Sequence, residues 1–535
     1  MNIESQYYPY RSQRNVVYAK KGMVATSQPL AAQAGLDILK KGGNAVDASI
    51  AVAACLTVVE PTSNGIGGDA FALVWIKGEL HGLNASGTAP QGISIDKLKE
   101  AGYKEMPKYG WIPVTVPGAP SAWAALSERF GKLPLTETLQ RAIEYAENGY
   151  PISPTLGKSW RAAVNQYQEE LKEECFKHWF EVFAPEGRAP QVGEIWRSAE
   201  HAKTLRSIAE TKGESIYRGE IADRIDQFSR EYGGYLRKED LAAYKPEWVT
   251  PISVNYRGYD VWEIPPNGQG LVALMALKIL EGFEFTARDQ ADTLHKQIEA
   301  MKLAFADGLQ EITEMDQMRV NVERLLSEEY ARQRMALIGE RALAPFPGQP
   351  PKGGTVYLAT ADEEGNMVSF IQSNYMGFGS GLVVPGTGIA LHNRGHNFTL
   401  DPTHVNGLAP GKKPYHTIIP GFLTKDGKAV GPFGVMGAFM QPQGHVQVMM
   451  NMIDFQLNPQ AALDAPRWRW IKDKKVELEI GVPDHLALSL ADKGHQIEWA
   501  LGSEGFGRGQ IIIRLENGVL AGGTEPRTDG AVAAW

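Results

Sequence analysis

A proline- and glycine-rich break, APFPGQPPKGG at 344–354, divides the chain into two stretches of different period, and any fold must accommodate both. Upstream the period is mainly helical. AAQAGLDILKKGG stops at glycine, as helices do, and a second helix starting near Asn44 runs through AVDASIAVAACLTVV, apolar on most faces and so internal. Glycine then punctuates GIGGDAFALVWI (65–76), where a strand begins. Residues 120–250 are helical and well charged, and 271–283 and 292–312 read as two more packed helices. Downstream the period changes to two. TVYLATAD (355–362) and GNMVSFIQSN (365–374) meet at EEG and predict a hairpin, GIALHN (388–393) predicts a strand, and IIPGFLTKDGKAVGPFGVMG (418–437) predicts another hairpin turning at Asp-Gly. Helices return near 443–465. Such an order is compatible with two sheets packed between helix layers.

Composition narrows the function classes. With 43% hydrophobic and 22% charged residues among 535, the chain can bury a sizeable core. A net charge of −8 argues against a nucleic-acid partner. The eleven histidines show no HExxH spacing, and GIGGDAF lacks the lysine of a phosphate-binding loop, so no metal or organic cofactor is expected. Cys55 and Cys175, the only two cysteines, form no disulfide framework, which fits a reducing compartment. The N-terminus has no apolar signal core, and no apolar run reaches the about 18 residues a membrane span needs. The expectation is a cytoplasmic protein with no membrane partner.

Thr355 stands directly after the break, at the start of a strand-like run. A threonine hydroxyl is a poor nucleophile unless a base sits beside it. Cutting the Gly354–Thr355 bond would supply that base, because the freed α-amino group has a pKa of roughly 7.7–8.0. One residue then holds both nucleophile and general base. Gly353 and Gly354 permit the strained backbone that an N-to-O acyl shift requires. The competing reading is an ordinary threonine opening an ordinary strand.

The flanking motifs favour the chemical reading. TVYLATADEEGN, FGSGLVVPGTGIALHN (378–393) and APGKKPYHTIIP (409–420) resemble the small subunit of the γ-glutamyltransferase family, and residues 22–71, with GGNAVDA and EPTSNGIGG, resemble its N-terminal signature. VTVPGAP (114–120), NGYPIS (148–153) and IPPNGQG (264–270) are similar to family landmarks in the same order. The resemblance implies an α+β fold, the four-layer αββα sandwich of N-terminal-nucleophile hydrolases. It further implies self-cleavage into a large subunit, 1–354, and a small subunit, 355–535, which stay together as a heterodimer, with pairing of two such units allowed. By the same resemblance Thr355 is the nucleophile, Ser373 is a hydroxyl that assists processing, and the backbone amides of Gly437 and Ala438 in GVMGAFMQPQG (434–444) form the oxyanion-binding loop. A glycine pair is usual there, so Ala438 is a departure.

The substrate-binding positions depart further. Ser86, in NASGTAP (84–90), holds the place of the family's carboxylate-binding arginine. Tyr375, Arg394 and Asn397 fall where the family binds the substrate ammonium, and Arg394 would repel one. His416 and Thr417 complete the substrate-binding set implied by the resemblance, while Tyr375, Phe378 and Tyr415 are expected to supply apolar walls. The connection 398–414 is shorter than in glutathione-cleaving relatives, which implies an open site. These departures resemble the cephalosporin-acylase-like and oxamate-amidohydrolase-like branch. The expected activity is hydrolysis of a small-molecule amide through an acyl-threonine, with a non-glutamyl, carboxylate-bearing acyl group. The alternatives are a true γ-glutamyltransferase or glutathione hydrolase, and an unprocessed, inactive relative with a structural or binding role.

Overall fold

The computed structural model describes residues 14–345 and 354–535, so Gly353 lies outside the described residues. Two seven-stranded sheets form the centre. One runs in the order Val17–Ala19, Leu520–Thr524, Arg508–Arg514, Lys428–Met436, Gly421–Lys425, Tyr259–Glu263 and Ile252–Tyr256. The other runs Ala531–Ala534, Gly22–Thr26, Gly354–Asp362, Met367–Tyr375, Asp69–Ile76, Glu79–Ala85 and Glu247–Val249. Every pairing within these two sheets is antiparallel.

Side-chain alternation sorts the layers, since successive residues of a strand face opposite sides. Val356 and Leu358 join the core beneath the helices Pro29–Lys40 and Ala45–Val59. Tyr357 and Ala359 face the other way and meet Phe422, Met436 and Ile512 of the opposite sheet. That second sheet buries its far face, with Val435 and Ile511, against Gly270–Leu280, Ala291–Glu311 and Met440–Ile453. The result is the four-layer αββα sandwich. The helix Ala45–Val59 is buried along its whole length and opens with a capping box: the Asn44 side chain accepts from the Asp47 amide, and the Asp47 carboxylate accepts from the Asn44 amide.

The hairpin of 354–375 forms as its pattern predicts, and Asp426 and Gly427 both take positive φ at the second hairpin's turn. GIALHN does not form a strand. Residues 379–391 make only isolated bridges, because Gly379, Gly381, Gly386 and Gly388 all adopt positive φ and coil the segment. The sequence reading also lacks Arg508–Arg514, Leu520–Thr524 and Ala531–Ala534, the short C-terminal strands that complete both sheets.

Candidate active site

Thr355 lies second in the strand Gly354–Asp362, held between Gly22–Thr26 and Met367–Tyr375. On its own strand it shares a face with Tyr357, so its side chain turns into the gap between the sheets. The Thr355 hydroxyl is 2.7 Å from the Gly354 carbonyl oxygen and 3.1 Å from Ser373 Oγ. Ser373 donates its proton to the same carbonyl at 2.7 Å and accepts the Tyr375 amide at 2.7 Å. Its hydroxyl therefore polarises the Gly354 carbonyl beside the threonine oxygen. Ser373 is fully buried and is not a solvent-facing strand residue.

The backbone at Tyr375 has φ +74, and a register shift in the 354–375 hairpin sits next to it. A bulky residue rarely adopts that conformation, and strain of this kind collects at functional sites. The Tyr375 hydroxyl donates to Asn397 Oδ1 at 2.5 Å, and Asn397 Nδ2 donates to the Tyr415 carbonyl at 2.9 Å. The Arg394 guanidinium lies over the Tyr375 ring, 4.4 Å from its centroid.

Arg394 is completely buried. Its Nη1 donates to Thr417 Oγ1 at 2.7 Å, and its Nε is 3.7 Å from Asp69 Oδ2. Nε and Nη2 have no hydrogen-bond partner among the described residues. Burial pulls the guanidinium down to about 10, against the pull of Asp69, so it remains a cation at neutral pH. Burial also pushes Asp69 up to about 7, with Arg394 the main opposing influence.

His416 Nε2 is 2.9 Å from Asp69 Oδ2, and its Nδ1 accepts the Ile418 amide at 3.4 Å. Both ring nitrogens are thus engaged within the protein, and burial holds the imidazole well below its usual range. Ser86 donates to Asn84 Oδ1 at 2.7 Å and accepts from Asn267 Nδ2 at 3.2 Å, one residue before the Gly87 amide that donates to Asp69. Ser86 is therefore closed into an amide network with Asn84 and Asn267.

Gly437 and Ala438 precede the helix Met440–Ile453, at φ +136 and +50. Neither amide donates a hydrogen bond among the described residues. Gln269 ties this loop to the Arg394 cluster, donating to the Ala438 carbonyl at 2.8 Å and the Thr417 carbonyl at 2.6 Å while accepting from the Tyr415 hydroxyl at 3.1 Å. An unbroken series of contacts thus joins Thr355, Ser373, Tyr375, Arg394, Thr417, Gln269 and Ala438.

One expectation needs correction. Phe378 supplies no wall here: it is packed among Trp160, Tyr167, Trp179 and Phe183 in the aromatic core under the helices. In the intact chain Thr355 is 1% exposed, and Gly354 lies close to Thr62, Ser63 and Gly377. The sequence reading missed Asp69 and Gln269, although both lie inside motifs it singled out, GIGGDAF and IPPNGQG.

A separate cluster joins His295, Glu299 and His495 to Lys302. His295 Nδ1 and His495 Nε2 are 2.8 Å apart, and Lys302 Nζ donates to Glu299 Oε1 at 2.8 Å and to the Leu343 carbonyl at 3.0 Å. The Lys302 ammonium already pairs with the one carboxylate of these would-be metal ligands, and the cluster holds the 339–343 segment through the Gly339 carbonyl and the Leu343 amide. Among the described residues no helix is long and apolar enough to cross a membrane.

Comparison with known proteins places this site in a family. Residues 31–535 match the family model described as gamma-glutamyltranspeptidase. The chain is 36% identical to the "Glutathione hydrolase-like YwrD proenzyme" of Bacillus subtilis over 96% of its own length and 98% of the relative's. It is 34% identical to the "Oxamate amidohydrolase proenzyme" of Klebsiella pneumoniae, with the same coverage of 96% and 98%. The crystal structure of a cephalosporin acylase from Bacillus halodurans superposes with a TM-score of 0.98 at 66% identity, covering 100% of this chain and 99% of that one. The αββα sandwich is that of the N-terminal-nucleophile hydrolases. The chain belongs to the gamma-glutamyltranspeptidase family and is an enzyme of that family's amidohydrolase and acylase class.

Proposed function

We propose that the chain cleaves itself between Gly354 and Thr355, yielding subunits 1–354 and 355–535, and that the new Thr355 then hydrolyses amides whose acyl group carries a carboxylate. The contact of the Thr355 hydroxyl with the Ser373-polarised Gly354 carbonyl carries the first part of the reading. Attack by Oγ1 on the Gly354 carbon forms an ester as the carbon–nitrogen bond breaks, and the hydroxyl proton passes to the departing amine. Water then hydrolyses the ester and leaves a free α-amino group on Thr355.

In turnover that amine takes the hydroxyl proton while Oγ1 attacks the substrate carbonyl, then returns the proton to the leaving amine. The unpartnered amides of Gly437 and Ala438 would receive the developing oxyanion. Water completes the cycle by releasing the acid. Arg394, a buried cation with two unfilled donor positions, supports an anionic acyl group. A γ-glutamyl ammonium would meet that same cation. This observation favours a non-glutamyl acid over glutathione.

The test is to trap the acyl-enzyme. Acid quenching during turnover of glutaryl 4-nitroanilide should leave one glutaryl group on the peptide beginning at Thr355. The reading is wrong if the anilide is cleaved with no label on that peptide, or if γ-glutamyl 4-nitroanilide is strongly preferred.

A further inference from the structure

Arg508 begins the strand Arg508–Arg514, directly opposite Met436. Opposed residues of an antiparallel pair share a face, and Met436 faces the gap between the sheets together with Tyr357. The preceding residue, Gly507, supports the Gly437–Ala438 loop so closely that a Cβ on Gly437 would sit 3.1 Å from the Gly507 Cα. Arg508 therefore projects beside the candidate oxyanion loop.

Among the described residues its one ion pair is with Glu60, with Nη1 and Oε1 3.6 Å apart. The Arg508 side chain makes no hydrogen bond among the described residues, although it is largely buried at 13% exposure. Glu60 accepts the Ser27 hydroxyl on Oε2, while its Oε1 has no hydrogen-bond partner among the described residues. Two residues further on, the Thr62 carbonyl and the Ser63 Cα each lie 3.3 Å from the position a Gly354 Cβ would take. Glu60, Thr62 and Arg508 line one small cavity. It adjoins a groove of about 1000 Å³, also lined by Arg508 together with Lys158, Ser503, Glu504 and Arg527.

The other groove cations are already matched. Lys158 pairs with Glu504, and Arg527 pairs with both Glu479 and Glu525. Among the described residues the Arg508 side chain has no hydrogen-bond partner, and it lines both the groove and the small cavity that reaches Thr62, the neighbour of Gly354. Arg394 reaches the site by a different route, through Tyr375 and Thr417.

We propose that Arg508 binds a carboxylate on the amine half of the substrate, so that the preferred amides are acidic at both ends. The inference rests on the reading that Arg394 holds the acyl carboxylate, which leaves the leaving amine for the second cation. A guanidinium with free N–H groups meets a carboxylate through paired, charge-assisted hydrogen bonds, and Glu60 keeps it in place without filling them.

The experiment compares glutaryl 4-nitroanilide with glutaryl 3-carboxy-4-nitroanilide on the wild type, Arg508→Met and Arg508→Lys. The wild type should favour the carboxylated leaving group at least tenfold in kcat/KM, mainly through KM. Arg508→Met should abolish that preference without changing turnover of the plain anilide, and Arg508→Lys should restore part of it. Intact mass of each variant establishes that processing is complete, so a failure of the Thr355 reading is seen separately. Calorimetric titration of 3-aminobenzoate against aniline reads the same contrast without turnover, with only the acid binding and Arg508→Met losing it. Equal kcat/KM for the two anilides on the wild type would overturn the proposal. So would a loss in Arg508→Met that follows the acyl carboxylate when glutaryl and pentanoyl anilides are compared.

Discussion

Replacing Arg394 with methionine keeps much of the side chain's bulk against Tyr375 and removes the cation. Among the described residues Nη2 and Nε have no hydrogen-bond partner, Nε lying 3.7 Å from Asp69, so a bound carboxylate would receive up to two charge-assisted hydrogen bonds from them. Each such bond contributes about 1.5–3 kcal/mol, and the pair about 3–4 kcal/mol after the substrate's own desolvation, or about 10²- to 10³-fold in kcat/KM. The assay compares glutaryl with pentanoyl 4-nitroanilide, which share a chain length and differ in the terminal carboxylate. At pH 6.5 Asp69, pushed up to about 7, is mostly neutral, so the substitution leaves no full charge buried beside the new methionine. The wild type should favour glutaryl by about 10²-fold or more, and Arg394→Met should bring the two substrates within about threefold of each other. A variant that keeps the wild-type preference would refute the assignment of Arg394 to the acyl carboxylate.

Other consequences follow from the same geometry. Ser373→Ala removes the hydroxyl that donates to the Gly354 carbonyl, and self-cleavage followed by mass should slow by about 10²- to 10³-fold, as when one oxyanion donor is lost; an unchanged rate would exclude Ser373 from processing. Ala438→Gly relieves a residue at φ +50 and retains the backbone amide, so kcat should stay within about threefold while thermal stability is unchanged or slightly raised; a loss of tenfold or more would mean that the methyl group contacts substrate. As pH rises through about 7, Asp69 ionises 3.7 Å from Arg394 and offsets its charge, so KM for the glutaryl anilide should rise while that of the pentanoyl anilide stays level. Over the same range kcat should increase as the Thr355 α-amine, with a pKa of roughly 7.7–8.0, loses its proton. Parallel KM profiles for the two substrates would remove Asp69 from the account.

The helices and hairpins were legible in the sequence because they carry their periods openly, whereas their stacking as an αββα sandwich came only from the family resemblance. The buried helix at 45–59 is apolar on most faces, and the 354–375 hairpin alternates around a glycine turn. Thr355 was singled out because it follows a Pro/Gly break at the head of a strand, and Ser373 only through the family resemblance; the structure brings the two hydroxyls to 3.1 Å. Asp69 and Gln269 were not, because their roles depend on partners far along the chain: Asp69 reaches His416, and Gln269 reaches Ala438. Phe378 was misplaced because an aromatic near the nucleophile strand suits a pocket wall and a core equally well. Its four aromatic neighbours, between Trp160 and Phe183, come from the helical block. The coiled path of 379–391 shows the same limit, with glycine φ values outweighing a strand-like composition.

The intact mass of the purified protein beside its Thr355→Ala variant tests the central claim most directly. The account expects two wild-type fragments meeting at 354/355, the second beginning with Thr355, and a single full-length chain in the variant. A wild-type chain that stays whole on long incubation, or a variant cleaved at the same bond, would contradict it.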